Sequence, residues 1–144
     1  MGDLSWEEKR RQYEGTAKET LQELTGKIIG CAMQVHSKLG PGLLEAAYEE
    51  CMCHTLARAQ LPFRPQVAVP IAFEGVTIDR GFRLDLVVDD RVIVEIKSVE
   101  KVLPLHAAQL LTYLKLSGVT TGLLLNFNVV HLRDGISRRS CFSR

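Results

Sequence analysis

Apolar residues recur along this chain in two rhythms, one near four residues and one of two, and the switch between them marks the predicted elements. From Thr25 to Leu39, Ile28, Ala32, Val35 and Leu39 follow helical spacing, with Thr25 as the candidate N-cap. Gly40-Pro41-Gly42 stops that helix, and a second is predicted from about Leu43 to Gln60, with Leu44, Tyr48, Cys51, Thr55 and Leu56 along one side. Leu61-Pro62-Phe63-Arg64-Pro65 reads as a turn-rich connection. Alternation then predicts strands at about 66–73, 76–88 and 91–97, the first two joined around Glu74-Gly75. Pro104 precedes a third helix, Leu105 to Leu116, which ends at Ser117-Gly118. Leu123-Leu124-Leu125-Asn126-Phe127 is a continuous apolar run of the kind that forms a buried strand.

The order helix, helix, three strands, helix, strand predicts an α/β sandwich, with helices flanking a mixed central sheet of about four strands. Residues 1–24 are polar and charge-mixed and read as an N-terminal arm whose last part leads into the first helix. Residues 25–133 form the domain, and 134–144 a C-terminal tail with several arginines and little periodicity. No repeats or low-complexity segments interrupt this plan.

The hairpin within 82–97 has a register that burial decides. Phe82-Arg83-Leu84-Asp85-Leu86-Val87-Val88 and Val92-Ile93-Val94-Glu95-Ile96-Lys97 flank Asp89-Asp90-Arg91. A two-residue loop would place Asp85 and Glu95 on opposite sheet faces, each charged row sharing a face with apolar side chains. A three-residue loop pairs 85 with 95 and 83 with 97. Phe82, Leu84, Leu86 and Val88 then share one face with Val92, Val94 and Ile96. Arg83, Asp85, Glu95 and Lys97 share the other, and hydrophobic burial selects this register.

Composition adds little until it meets charge. The 144 residues are 46% hydrophobic and 24% charged, an ordinary balance for one globular domain. A net charge of +1 provides no global basic field, so any nucleic-acid contact has to come from a local patch. No apolar run approaches the roughly 20 residues of a membrane span, and the charged N-terminus lacks a signal-peptide core, so an intracellular, cytoplasmic location is expected. Cys51-Met52-Cys53-His54 sits in a helical pattern, where side chains two apart diverge and converge poorly on one ion. Free thiols are therefore expected at Cys31, Cys51, Cys53 and Cys141.

Two carboxylates and an ammonium side by side make either a metal site with a lysine beside it or a salt-bridged patch. Magnesium and manganese prefer hard oxygen ligands and take one or two carboxylates, leaving room for water and phosphate. Asp85 and Glu95 meet that need, the carbonyl of Ile96 offers a further oxygen, and Lys97 lies on the same face to orient a water or steady a transition state. Gln109 and Tyr113, four apart on the third helix, share a face with His106 just before them. Glu45 and Tyr48 share a face of the second helix. His36 and His54 read as helix-surface or packing residues.

At this point the motifs resemble a known family. Gly42-Leu43-Leu44-Glu45-Ala46-Ala47-Tyr48 is similar to the signature of the GxxExxY proteins, a branch of the PD-(D/E)XK nuclease superfamily. Asp85, then Glu95-Ile96-Lys97, then Gln109 to Tyr113 in the Q-x-x-x-Y pattern of RecB-like nucleases, follow in order. Gly122 to Phe127 resembles the family's last core strand. Any one of these motifs occurs by chance; together and in order, over about 25–133, they are specific. Ser98 and Asn128 stand where relatives are expected to carry Ala and Gly.

The resemblance implies a restriction-endonuclease-like fold and a divalent cation, Mg2+ or Mn2+, held by Glu45, Asp85, Glu95 and the Ile96 carbonyl. Lys97 would complete the site, with Gln109 and Tyr113 as an accessory pair. The implied activity is a metal-dependent phosphodiesterase acting on nucleic acid, DNA before RNA, with a homodimer left open. A non-catalytic module gripping nucleic acid or a protein on the same fold is the alternative, and a hydrolase of small phosphorylated substrates a third.

Overall fold

A computed structural model describes residues 19–142. Most of the N-terminal arm, residues 1–18, and the last two residues of the tail lie outside them. The elements are α1 (Leu21–Leu39), α2 (Glu45–Arg58), β1 (Phe63–Phe73), β2 (Val76–Val88), β3 (Val92–Lys97), α3 (Pro104–Ser117), β4 (Thr121–Asn126), a 3-10 turn (Leu132–Gly135) and β5 (Ile136–Ser140).

The first helix begins a turn earlier than its apolar spacing predicts. Thr20 is the N-cap, its Oγ1 accepting from Glu23 N at 3.1 Å, and Thr25 lies buried inside the helix with its hydroxyl donated to the Gln22 carbonyl. The extra turn carries Leu21 and Leu24 onto the same stripe as Ile28, and Leu24 is fully buried. Each such side chain contributes roughly 1.5–3 kcal/mol on burial, which extends a helix whose N-terminal residues are otherwise polar.

The sheet is five-stranded, in sequence order β1-β2-β3-β4-β5, with β3 and β4 parallel and every other neighbour pair antiparallel. It exceeds the expected four strands because the tail supplies β5, which pairs with β4 from Thr121↔Ser140 to Leu125↔Ile136. The parallel pair β3–β4 is joined by α3, as a parallel connection requires. One face is covered by α1 and α2, packed with Leu86, Val88, Val94, Ile96, Leu123 and Phe127. The other is covered by α3, where Leu110 and Leu114 meet Leu84, Val87, Ile93 and Leu124. The result is a three-layered α/β sandwich of the restriction-endonuclease-like kind. Among the described residues no helix is long and apolar enough to cross a membrane.

The hairpin register follows the three-residue loop: Val88↔Val92, Val87↔Ile93 and Leu86↔Val94 are partners, with Asp89 and Asp90 both at positive φ in the turn. The ladder stops there. Arg83 pairs with Ala68 of β1 rather than with Lys97, and it is exposed. Phe82 and Leu84 also depart from expectation, packing on the α3 side instead of sharing a face with Leu86 and Val88. Strand β2 therefore reverses faces at Asp85.

Candidate active site

Where the β2–β3 ladder ends, side chains take over from peptides. Asp85 N donates to Glu95 Oε1 at 3.2 Å, and Asp85 Oδ2 accepts from Ile96 N at 2.8 Å. The expected neighbours 85 and 95 are thus brought together, but by carboxylates bonded to backbone N–H groups. Ile93 packs toward α3, so Glu95 and Lys97, two and four residues on, present themselves to the same side.

Glu95 is 6% exposed and Asp85 half-buried. Burial, then the Asp85 charge, pushes the Glu95 carboxyl up to about 8, against the lowering pull of the Asp85 N–H and of Lys97. A hydrogen bond between the two carboxyls favours the protonated form of Glu95 in the same direction. Asp85 is also raised, chiefly by burial, while the Ile96 N–H, Glu95 and Lys97 oppose the shift and Glu45 adds to it. Two ionisable carboxyls whose joint charging is this unfavourable are what a divalent cation relieves. Lys97 acts on both acids through its field and is in none of the ion pairs formed among the described residues.

The donor set fits Mg2+ or Mn2+: hard oxygens, two acids, and a lysine nearby. Among the described residues no three His, Cys, Asp or Glu side chains form a group able to hold an ion. A cation here would rest first on the Asp85–Glu95 pair, with water and phosphate completing its shell, as magnesium accepts. Ile96 bonds Asp85 through its N–H, and its side chain is buried in the α1–α2 core.

Glu45 opens α2, where a negative charge suits the helix dipole. It is exposed, and its Oε1 accepts from Ser98 N at 3.3 Å, next to Lys97 in the chain. Ser98 in turn donates its hydroxyl to the Leu43 carbonyl at 2.6 Å, so the residue that departs from the expected Ala latches the end of β3 to the start of α2. Tyr48 is fully buried and stacked on Phe127, with ring centroids 4.5 Å apart. Its hydroxyl donates to the Gly40 carbonyl at 2.5 Å and accepts from Leu43 N at 3.2 Å. The tyrosine of the G-x-x-E-x-x-Y run therefore folds the Gly40–Leu43 loop back on the helix and fixes where Glu45 emerges.

Across the site, Tyr113 of α3 is half-buried and stacks on Phe82, centroids 4.5 Å apart and planes within 4°. Its hydroxyl is pushed up by burial and then by the negative Glu95 and Asp85, which puts it within the field of the pair. Gln109, one turn earlier, is half-buried. His106 serves the backbone instead, its Nδ1 accepting from Leu103 N at 3.0 Å to cap the start of α3. His36 packs near Phe127 and bonds the Val129 carbonyl.

Sequence reasoning missed Asn126 and Glu49. Asn126 is buried beside Lys97 in the parallel ladder; its side chain accepts from Val99 N and Asn128 N and donates to the Val99 carbonyl, holding the chain just past Lys97. A polar residue inside an otherwise apolar strand was the available signal. Glu49, one turn beyond Glu45 on the same helix side, has its carboxyl raised by burial first, lowered by a bond from Gln66 and raised again by Asp85. Its i+4 spacing from Glu45 was the cue. A hollow of about 480 Å³ between β1 and the end of α3, lined by Val67, Val69, Leu84 and Leu116, contains none of the candidate residues.

A family model described as the PD-(D/E)XK nuclease superfamily matches residues 22–139. No curated protein and no solved structure matches the chain.

Proposed function

The chain belongs to the PD-(D/E)XK nuclease superfamily, and from that premise we propose that it is a divalent-metal-dependent phosphodiesterase that cuts nucleic acid, DNA in the first instance. The observation that carries this reading is the pairing of buried Glu95 with half-buried Asp85, with Lys97 on the same side of β3. The Gly42–Tyr48 run and the Gln109–Tyr113 spacing support placement in the GxxExxY branch with a Q-x-x-x-Y element. A cytoplasmic setting accords with free thiols at Cys31, Cys51, Cys53 and Cys141.

Asp85 and Glu95 would hold the cation, with Glu45 assisting directly or through water and the Ile96 carbonyl offering a further oxygen. The bound ion supplies Lewis-acid stabilisation of the phosphate and a water of lowered pKa. With its carboxyl pushed up to about 8, Glu95 would have to be deprotonated for both acids to serve as ligands. Lys97, held beside the pair but unpaired with either acid within the described residues, orients the attacking water or faces the charge that develops on phosphorus-bound oxygen. Tyr113 and Gln109 brace the substrate from α3, while Tyr48 acts through the loop that positions Glu45.

The bond from Ser98 N to Glu45 favours a second reading, a module that grips nucleic acid without turnover, since it occupies one oxygen of the third acid. A cleavage assay on single- and double-stranded DNA and RNA separates the two. It is run with Mg2+ or Mn2+ and with chelator, beside Asp85→Asn and Lys97→Ala. Metal-dependent cutting lost in both variants establishes the nuclease. Salt-dependent binding without cutting moves the assignment to the module.

A further inference from the structure

Side chains alternate along a regular strand, so residues two or four apart share a face. β1 breaks this rule: Phe63 packs on the α1–α2 side, yet Val67 and Val69 pack on the α3 side. β2 breaks it at the facing position, with Leu86 and Val88 on the first side and Leu84 and Phe82 on the second. The ladder pairs Pro65 with Leu86 and Val67 with Leu84, which sets Gln66 opposite Asp85 at the reversal. Gln66 has φ 52°, in the left-handed region. That backbone costs a non-glycine residue on the order of 1 kcal/mol and persists only where its surroundings hold it.

Gln66 has such a hold. Its Nε2 donates to Glu49 Oε1, across to the helix that also carries Glu45. Glu49 is close enough to feel the Asp85 charge. One side-chain bond thus ties α2 to the kink in β1, and that kink faces the residue where β2 turns its carboxylate onto Ile96 N.

We propose that Glu49 and Gln66 form a positioning pair for Asp85, locking the left-handed turn of β1 that lets β2 reverse faces and leave the ladder at that residue. The proposal rests on reading Asp85 as a site carboxylate, and it adds two residues outside the motifs to the machinery. Neither touches the reacting atoms; both act through the placement of Asp85.

The Ile96 amide reports that placement directly, because its acceptor is Asp85 Oδ2. Its hydrogen exchange is measured by NMR in the full chain without metal or substrate, with Leu124 in the inner strand β4 as the control. Glu49→Ala is expected to speed Ile96 exchange about tenfold and leave Leu124 unchanged. Glu49→Gln, whose carbonyl still accepts from Gln66, is expected to match the wild type. Adding Gln66→Gly to Glu49→Ala, so that glycine takes the left-handed turn unaided, is expected to restore most of the protection. Unchanged Ile96 exchange in Glu49→Ala overturns the proposal, as does equal acceleration of Ile96 and Leu124. A wild type that never cuts nucleic acid but shows this exchange pattern sinks the nuclease reading and leaves the positioning pair standing.

Discussion

The N–H of Asp85 and the carboxyl of Glu95 meet at 3.2 Å, and this one bond places a proton-holding acid where two strands part. With the Glu95 carboxyl at about 8 against an ordinary 4.5, the folded chain keeps a proton that the unfolded chain has lost between those values. The sign follows: the favourable contribution is fully present below about pH 4.5 and is lost as pH rises through about 8. In chelator, the urea midpoint is expected to fall from pH 6 to pH 9. Glu95→Gln, neutral throughout, is expected to flatten that fall. A midpoint that rises over the same range in the wild type contradicts the buried protonated acid.

On the proposed reading, metal binding is expected to have the opposite dependence, because a cation held by both acids would displace that proton. Mn2+ affinity, measured by calorimetry, is expected to strengthen up to about tenfold per pH unit below pH 8 and then level off. Proton release should appear as a buffer-dependent enthalpy. Asp85→Asn should abolish the binding, and by removing the neighbouring charge it should also bring the Glu95 carboxyl down, readable in a carboxyl-carbon NMR titration. Asp85→Asn and Lys97→Ala are each expected to lower kcat for cleavage by about 100-fold or more while leaving the far-ultraviolet spectrum unchanged.

Much of this site is legible in the amino-acid sequence, and the reasons are local. The three-residue loop at Asp89–Arg91 is readable because any other register would bury charge. Glu45 and Lys97 stand out because they sit at element ends, the start of α2 and the end of β3, whereas Asp85 and Glu95 lie inside their strands and are picked out by the order of motifs. The reversal at Asp85 is hidden. It depends on a left-handed Gln66, and glutamine has no propensity for that conformation, so nothing in the alternation of 63–73 announces it. The fifth strand is hidden for a different reason: Ile-Ser-Arg-Arg-Ser has no apolar alternation, and it is a strand because β4 presents an open edge to it. Thr20 and Thr25 are equally good caps by type; the burial of Leu24 decides between them.

Tyr48→Phe tests whether the tyrosine of the signature is a brace. The substitution keeps the stack on Phe127 and deletes the hydroxyl that joins the Gly40 carbonyl to Leu43 N. Leaving those groups without their partner is expected to destabilise the fold by about 1–3 kcal/mol in a denaturant titration. Cleavage should fall less than in Asp85→Asn, because Glu45 keeps its bond to Ser98 N. Full stability in the variant would remove Tyr48 from the frame of the site.

Two glycines make opposite packing demands, and comparing them tests how Lys97 is held. A methyl group at Gly135 would lie 2.1 Å from the Asn126 carbonyl oxygen, a backbone atom of the inner strand β4 that cannot step aside. At Gly122 the nearest atom is the Leu110 Cδ1 at 2.7 Å, the end of a side chain that can rotate. Gly135→Ala is therefore expected to cost about 1–3 kcal/mol or more, and Gly122→Ala less. The larger effect should reach the site as well. Asn126 grips Val99 through both its oxygen and its amide nitrogen, and displacing it frees the chain that follows Lys97. Gly135→Ala should thus lower kcat at a temperature where the variant is still folded, while Gly122→Ala should change stability alone. If Gly122→Ala proves the more damaging to cleavage, Lys97 is steadied from α3 and not by the Asn126 latch.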